Sequence, residues 1–345
     1  MRVLAIESTC DETGACVAES FEGGVKIIAE TKATSSEITS KYGGIVPEVV
    51  AREQVAAIIP VIETALQQSA VSSQDIDAVA VSFGPGLVGS LLIGIETSKA
   101  LAWAWDKPLL KVNHMVGHIF ANWIIESSQQ SAVSSQQVPE MPAVGLVVSG
   151  GHTDLILMKS LTDWQWIGGT RDDAAGEAFD KVARAMGLSY PGGPAVAKLA
   201  AEFSAVSSQQ SARVKLPRPM IHEDGLSMSF SGLKTAVLQR LAEKEDVNWL
   251  AYDFNQAVVD VLVNKTMKAV GVFNPKSVIL AGGVVANELL RKQLALSCQH
   301  SAVKFFMPEL KYTTDNAAMI AAAAIMRPVE TETLFLRPSP SLEVV

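Results

Sequence analysis

Short apolar runs that stop at a polar or glycine-rich turn, with helical stretches between them, constrain this chain more than any other feature. Residues 3–6 are apolar and give way to Glu7, Ser8, Thr9, Cys10, Asp11, Glu12, Thr13 and Gly14, after which 15–18 are apolar again. That pattern predicts a strand, a polar turn and a second strand, a hairpin that opens a sheet. A further run at 76–82 is broken by Gly84, Pro85 and Gly86. Strand-like segments recur at 145–149, 154–158 and 277–281, the first and last followed by paired glycines. Between them, 53–68 carry apolar side chains at helical spacing, with Val55, Ile58, Ile59, Ile62 and Leu66 on one face. A helix rich in small residues is predicted from Gly89 to Trp105. Strands alternating with helices make an α/β protein.

A chain of 345 residues exceeds what one compact core usually takes, so two domains of roughly 150 residues each are expected. We place the first at 1–128 with 322–345 and the second at 139–321. With 48% hydrophobic residues the chain has enough apolar surface to offset its entropy, which excludes general disorder. No apolar run approaches the ~18 residues of a membrane span, and the N-terminus turns acidic at Glu7, unlike a signal peptide. The expected location is therefore the cytoplasm. Cys10, Cys16 and Cys298 are too few and too scattered for a disulfide framework or a CxxC zinc site, and read as small buried hydrophobes. A net charge of -8 argues against a broad nucleic-acid-binding surface. It leaves room for a local patch at Arg213, Lys215 and Arg218, which either contacts phosphates or is a solvated run. The word Ser-Ala-Val-Ser-Ser-Gln occurs at 69–74, 131–136 and 204–209, at unequal intervals. It reads as polar surface-loop insertions rather than a solenoid repeat, and we have no physical account of its recurrence.

Three segments carry chemistry. In Asn113-His114-Met115-Val116-Gly117-His118 two histidines at i and i+4 share one helix face. They can chelate a divalent metal if a carboxylate joins them, or simply pack as hydrogen-bonded histidines. Met115 follows the first histidine where a zinc protease would carry its general-base Glu, which excludes that reading. The second segment, Val147-Val148-Ser149-Gly150-Gly151-His152-Thr153, joins two β-like runs through glycines that let a backbone approach a phosphate or acyl group. Residues 278–287 form the third, a strand, the pair Gly282-Gly283, and Asn287 before a helix, a frequent anion cradle. Singly each is weak. Together with the acidic hairpin at 7–14 they match the nucleotide-binding layout of the actin-like (sugar kinase and heat-shock ATPase) fold, in which two related domains face a nucleotide cleft.

The chain also resembles the universal threonylcarbamoyltransferase family, TsaD in bacteria. The resemblance is carried by IESTCDETG (6–14), YGGIVPEVVAREQ (42–54), GPGLVGSLLIG (84–94), NHMVGH (113–118) and VSGGHTDLI (148–156). It continues through DDAAGEAFDKVAR (172–184), YPGGPAV (190–196), SFSGLKT (229–235), LAGGVVAN (280–287) and TTDNAAMIA (313–321). It implies that His114, His118 and Asp315 bind one divalent metal, iron or zinc. It implies further that Val147, Val148, Ser149, Gly150, Gly151, Asp180, Gly193 and Asn287 hold the threonylcarbamoyl-adenylate, or ATP. Asp11, Glu12 and His152 would line the same cleft or sit in solvated turns. The activity implied is transfer of a threonylcarbamoyl group to N6 of the adenosine 3′ of the anticodon, in tRNAs that read codons beginning with A. The partners implied are tRNA, a degenerate paralogue (TsaB-like) and a small P-loop ATPase (TsaE-like). Bacterial members often carry Glu where this chain has Val116, so any role for a carboxylate there is lost. The rival readings are a kinase or a non-enzymatic ATP-binding scaffold of the same fold.

Overall fold

The computed structural model describes residues 1–35, 45–125, 138–206 and 214–345. The chain divides into two compact units, Met1–Pro139 with Pro308–Val345, and Glu140–Met307. The boundary expected from sequence at 321/322 thus falls later than the division at 307/308. Residues 308–321 lie with the first unit because the helix they lead into packs on its sheet.

In the first unit, β1 (Arg2–Glu7), β2 (Glu12–Phe21), β3 (Gly24–Thr34), β4 (Ala78–Gly84) and β5 (Leu109–Asn113) form a sheet, with short edge strands β6 (Ile124–Ile125) and β12 (Glu330–Thr331). The order is β12-β5-β4-β1-β2-β3-β6. β1 and β3 flank β2 in antiparallel fashion, while β1, β4 and β5 run parallel. The second unit has β7 (Ala143–Val148), β8 (Thr153–Met158), β9 (Trp164–Gly169), β10 (Ser277–Ala281) and β11 (Lys304–Phe306), in the order β11-β10-β7-β8-β9. The pairings repeat: β7 to β8 and β8 to β9 antiparallel, β7 to β10 and β10 to β11 parallel. Both units therefore share one wiring, a central first strand with two antiparallel strands on one side and two parallel strands on the other. Strands covered on both faces read as unbroken apolar runs, and β7 is buried throughout.

Helices α1 (Pro47–Ser69), α2 (Val88–Trp105), α3 (His114–Phe120) and α9 (Ala317–Met326) belong to the first unit. The second contains α4 (Ala175–Ala185), α5 (Gly192–Val206), α6 (Ser231–Ala242), α7 (Val247–Phe273) and α8 (Glu288–His300). The first core gathers Leu4, Ile6, Val17, Ile58, Ile62, Val79, Val81, Leu91 and Ile95. The second is built on Leu146, Val148, Phe179, Trp249, Phe254 and Leu280.

The expected face of α1 needs correction. Val50, Gln54, Ile58, Val61, Ile62 and Ala65 are buried, while Val55 and Ile59 are 63% and 49% exposed. Gln54 wins an inward place over Val55 because its Nε2 donates to the Cys10 and Glu12 carbonyls of the first hairpin. The Cys10 carbonyl also accepts from Ser90 Oγ at 3.2 Å, so Gln54 adds to a turn already held in place. Cys16 and Cys298 are buried as expected, but Cys10 is only partly so. Of the recurring hexapeptide, the first copy closes α1, with Ala70 in the left-handed region (φ 52°). The second lies outside the described residues, and the third starts in the last turn of α5 and then leaves them.

Candidate metal centre and glycine turns

β5 leads directly into the helix that carries His114 and His118. Asn113, its last residue, caps α3 by accepting at Oδ1 from the backbone N–H groups of Met115 (2.9 Å) and Val116 (3.4 Å). A side-chain cap suits so short a helix, whose first N–H groups have no internal partners. His114 and His118 then lie on one face, with ring centroids 4.8 Å apart and planes at 87°. The third group arrives from the far end of the sequence. Helix α9 is built from small residues and packs against β1, β2 and α3. A Cβ placed on Gly117 would sit 3.0 Å from Ile320 Cδ1, so glycine there lets the two helices approach closely. Asn316 caps α9 by accepting from Met319 N at 2.8 Å. Asp315, one residue before that cap, is thereby aimed at the histidines.

The Nε2 atoms of His114 and His118 lie 3.3 and 3.4 Å from the same oxygen, Asp315 Oδ1. Two ligands bound at about 2.0–2.1 Å to a tetrahedral ion are about 3.3–3.4 Å apart, so these spacings fit a shared metal. Two imidazoles and one carboxylate suit iron or zinc and leave a coordination position for substrate. His118 Nδ1 is buried and makes no hydrogen bond to the described residues. On the other ring, His114 Nδ1 lies 3.2 Å from Glu7 Oε2 and 3.1 Å from Thr9 Oγ1. Burial pulls the His114 pKa down, but the Glu7 and Asp315 carboxylates outweigh it and hold it up at about 10. Burial lowers that of His118. Burial raises the Asp315 pKa, but the two imidazoles overcome this and hold it well below the carboxylate range.

Glu7 and Thr9 are absent from the sequence-based set of site residues. The available signal was a charged residue ending an otherwise apolar strand. Asp11 and Glu12 stand in the same hairpin, both partly buried and both with pKa values raised by burial. Glu12 Oε2 makes no hydrogen bond to the described residues. Val116 is buried and lines a cavity of about 180 Å³ together with Lys111 and Arg327.

The second unit brings its glycine segments together. Ser149 N donates to His152 O (2.9 Å) and His152 N donates to Ser149 Oγ (3.1 Å), closing a tight turn after β7. Val147 and Val148 are buried in the strand and carry this turn. A Cβ on Gly150 or Gly151 would meet nothing within 4 Å, so their backbone faces open space. Behind the turn, a Cβ on Gly176 would overlap Ser149 O and Gly150 Cα, and one on Gly282 would overlap the Val148 backbone. Gly282 also has φ +91°, a conformation that favours glycine. The start of α4, the β7–β8 turn and the residues after β10 are thus packed backbone to backbone. Asp180 Oδ1 accepts from Gly192 N (2.7 Å), which ties α5 to α4, and Gly193 beside it has open space. Asn287 caps α8 by accepting from Leu290 N (3.2 Å), and its Nδ2 donates to Asn255 Oδ1 (2.7 Å). Both ends of that amide are engaged within the unit.

Two members of the basic cluster are described. Arg218 pairs with Asp253 (2.7 Å) and Asp260 (3.1 Å), mostly buried, Lys215 is exposed, and Arg213 lies outside the described residues.

A family model described as tRNA N6-adenosine threonylcarbamoyltransferase (TsaD) matches residues 26–322. Proteins named tRNA N6-adenosine threonylcarbamoyltransferase from Dehalococcoides mccartyi and Symbiobacterium thermophilum are 46% and 47% identical to this chain. The alignments cover 95% and 93% of it and 94% and 90% of those relatives. Component A of the Acidaminococcus fermentans (R)-2-hydroxyglutaryl-CoA dehydratase superposes with a TM-score of 0.52 at 14% identity, covering 95% of this chain and 97% of that one. The architecture shared is the actin-like ATPase fold.

Proposed function

The chain belongs to the TsaD family of tRNA N6-adenosine threonylcarbamoyltransferases, and from that premise we propose how its residues divide the work. The reaction is acyl transfer to the N6 amine of a tRNA adenosine. We take the donor to be threonylcarbamoyl-AMP and the acceptor to be the adenosine 3′ of the anticodon in tRNAs reading codons that begin with A. The amine attacks the carbamoyl carbon, the new N–C bond forms, the bond to the adenylate oxygen breaks, and AMP leaves. The amine proton passes to a base, for which His152 is our candidate.

In this reading the open backbone of Gly150 and Gly151, and the residues about Gly193, receive the adenylate phosphate and ribose. Asp180 retains its second oxygen for a ribose hydroxyl. Asn287 contributes by fixing the start of α8 behind the Gly282-Gly283 turn. His114, His118 and Asp315 hold a divalent ion, iron or zinc, which when bound supplies Lewis-acid polarisation of the acyl carbonyl. The observation that supports this most is the convergence of two imidazole Nε2 atoms on one Asp315 oxygen.

No helix among the described residues is long and apolar enough to cross a membrane, and we take the enzyme to act on its tRNA in the cytoplasm. Because the chain is acidic, we assign much of the tRNA grip to partners, a degenerate paralogue and a small P-loop ATPase. Support for a protein partner comes from Val55, Ile59, Val88 and Leu92, exposed on α1 and α2. These two helices pack with Ala51 against Gly89.

The test is a transfer assay with partners, unmodified tRNA and threonylcarbamoyl-AMP, comparing wild type with His114→Ala/His118→Ala. Modified adenosine from wild type and almost none from the variant is the expected result. Equal product from both would remove the metal from the reading while leaving the transferase.

A further inference from the structure

Strand β1 is apolar from Val3 to Ile6 and then ends on a carboxylate with no exposed surface, Glu7. A carboxylate is kept in such a place only when hydrogen bonds and charge compensate it. Each oxygen of Glu7 has its own partner: Oε1 accepts from Thr9 N at 2.6 Å, and Oε2 faces His114 Nδ1 at 3.2 Å. On the opposite corner of the same ring, Nε2 faces Asp315 Oδ1 at 3.3 Å. A carboxylate only accepts, so the proton between Glu7 and His114 belongs to Nδ1. An imidazole that keeps its proton on Nδ1 has Nε2 left to ligate a metal. His118 has no counterpart, since its Nδ1 makes no hydrogen bond to the described residues. The two histidines are therefore not equivalent: one is oriented through a charged group, the other by packing.

We propose that Glu7 is a positioning residue of the metal centre, holding the Nδ1 proton of His114 so that Nε2 is presented to the ion. Metal-bound histidines commonly donate their second ring N–H to such a partner, and its loss typically weakens metal binding 10–100-fold. Thr9 Oγ1, also within 3.1 Å of Nδ1, is the weaker acceptor of the two because it is uncharged. The strand geometry makes the assignment specific. Glu7 is the last residue of β1 and His114 the first residue after β5, and both strands pair with β4 in parallel, so their carboxyl ends lie on one edge of the sheet.

The inference rests on the metal reading of the triad, and Glu7→Gln tests it separately. Glutamine keeps the volume but cannot accept from both Thr9 N–H and His114 Nδ1–H. If its oxygen serves Thr9, its NH2 faces Nδ1 and favours the ring form with the proton on Nε2. Zinc affinity would be measured by chelator competition for wild type, Glu7→Gln, Thr9→Val and His114→Ala, with far-UV circular dichroism as the check on folding. The expected result is one tight zinc in wild type, none in His114→Ala, a 10–100-fold loss in Glu7→Gln, and a smaller loss in Thr9→Val. Equal affinity of Glu7→Gln and wild type overturns the inference and leaves the metal reading intact. So does a loss in Thr9→Val as large as that in Glu7→Gln. A wild type that binds neither zinc nor iron(II) overturns both. Should Glu7→Gln not fold, ¹⁵N-histidine NMR of the zinc-loaded wild type decides, with only five histidines to assign. A protonated Nδ1 on His114 supports the inference, and a zinc-bound Nδ1 overturns it.

Discussion

His114 sits between two carboxylates, and that placement makes the metal-free protein sensitive to alkali. Its pKa, about 10 when folded, stands above the ordinary histidine value of 6.5. The stabilisation from the charged ring is therefore complete below about pH 6.5 and is lost as pH rises towards 10. Asp315 is displaced the other way, so its contribution is present above the ordinary carboxylate value of 3.8 and is lost as pH falls below it. The His118 ring, kept neutral by burial, costs stability below its ordinary value of 6.5, so the thermal midpoint of metal-free protein should be highest near pH 6.5 and decline from 7 to 10. Calorimetry across that range, after chelation, is the measurement. A midpoint flat to pH 10 would show that the ring is not held in this way. Loading with metal should reverse the trend, because the ion takes the Nε2 position only after its proton leaves.

At the scale of elements, helix α3, which carries the histidine pair, is held from outside itself. Asn113 caps it with Oδ1 and uses Nδ2 to donate to Glu343 O in the C-terminal segment, at 2.6 Å. The same segment accepts from Gly86 N at Pro340 O and donates from Ser339 N to Phe83 O, so it ties the ends of β4 and β5 together. Asn113→Ala should cost about 1 kcal/mol for the lost cap, measured as a shift in the urea midpoint. It should also weaken zinc binding, since His114 is the next residue. Unchanged zinc affinity would show that sheet packing alone places the histidine. Only the histidine pair was legible in the sequence of this segment, and the structure supplied its cap. The buried face of α1 was not legible either. Its apolar residues cover more than one stripe, and the choice between Gln54 and Val55 was made by two carbonyls in a hairpin forty residues earlier in the chain.

For the molecule as a whole, charge and exposed apolar surface point to action in company. A net charge of -8 gives little attraction for a polyanion such as tRNA, and the one arginine of the basic cluster that is described spends its charge on Asp253 and Asp260. Val55, Ile59, Val88 and Leu92 meanwhile stand exposed on two packed helices. If the proposed paralogue docks here, Val55→Lys with Leu92→Lys should abolish its association, read by size-exclusion chromatography. The thermal midpoint of the isolated chain should stay within a few degrees, since neither side chain is buried. A complex that persists would move the partner to another surface.

The sequence by itself determined the α/β class, the strand–glycine–helix segments and the i, i+4 histidine pair. These are local properties, written in periods of two and 3.6 residues and in the conformational freedom of glycine. The motifs also carried the family, and with it the expectation of Asp315 as a third metal ligand. Only the tertiary structure decided that Glu7 stands behind His114, 107 residues away in the chain, and that the amide of Asn287 is turned inward to Asn255. It also supplied the strand order by which the two units, expected to be related, share one wiring. Such pairings depend on which strands lie side by side and how closely one helix approaches another, and no local period records that.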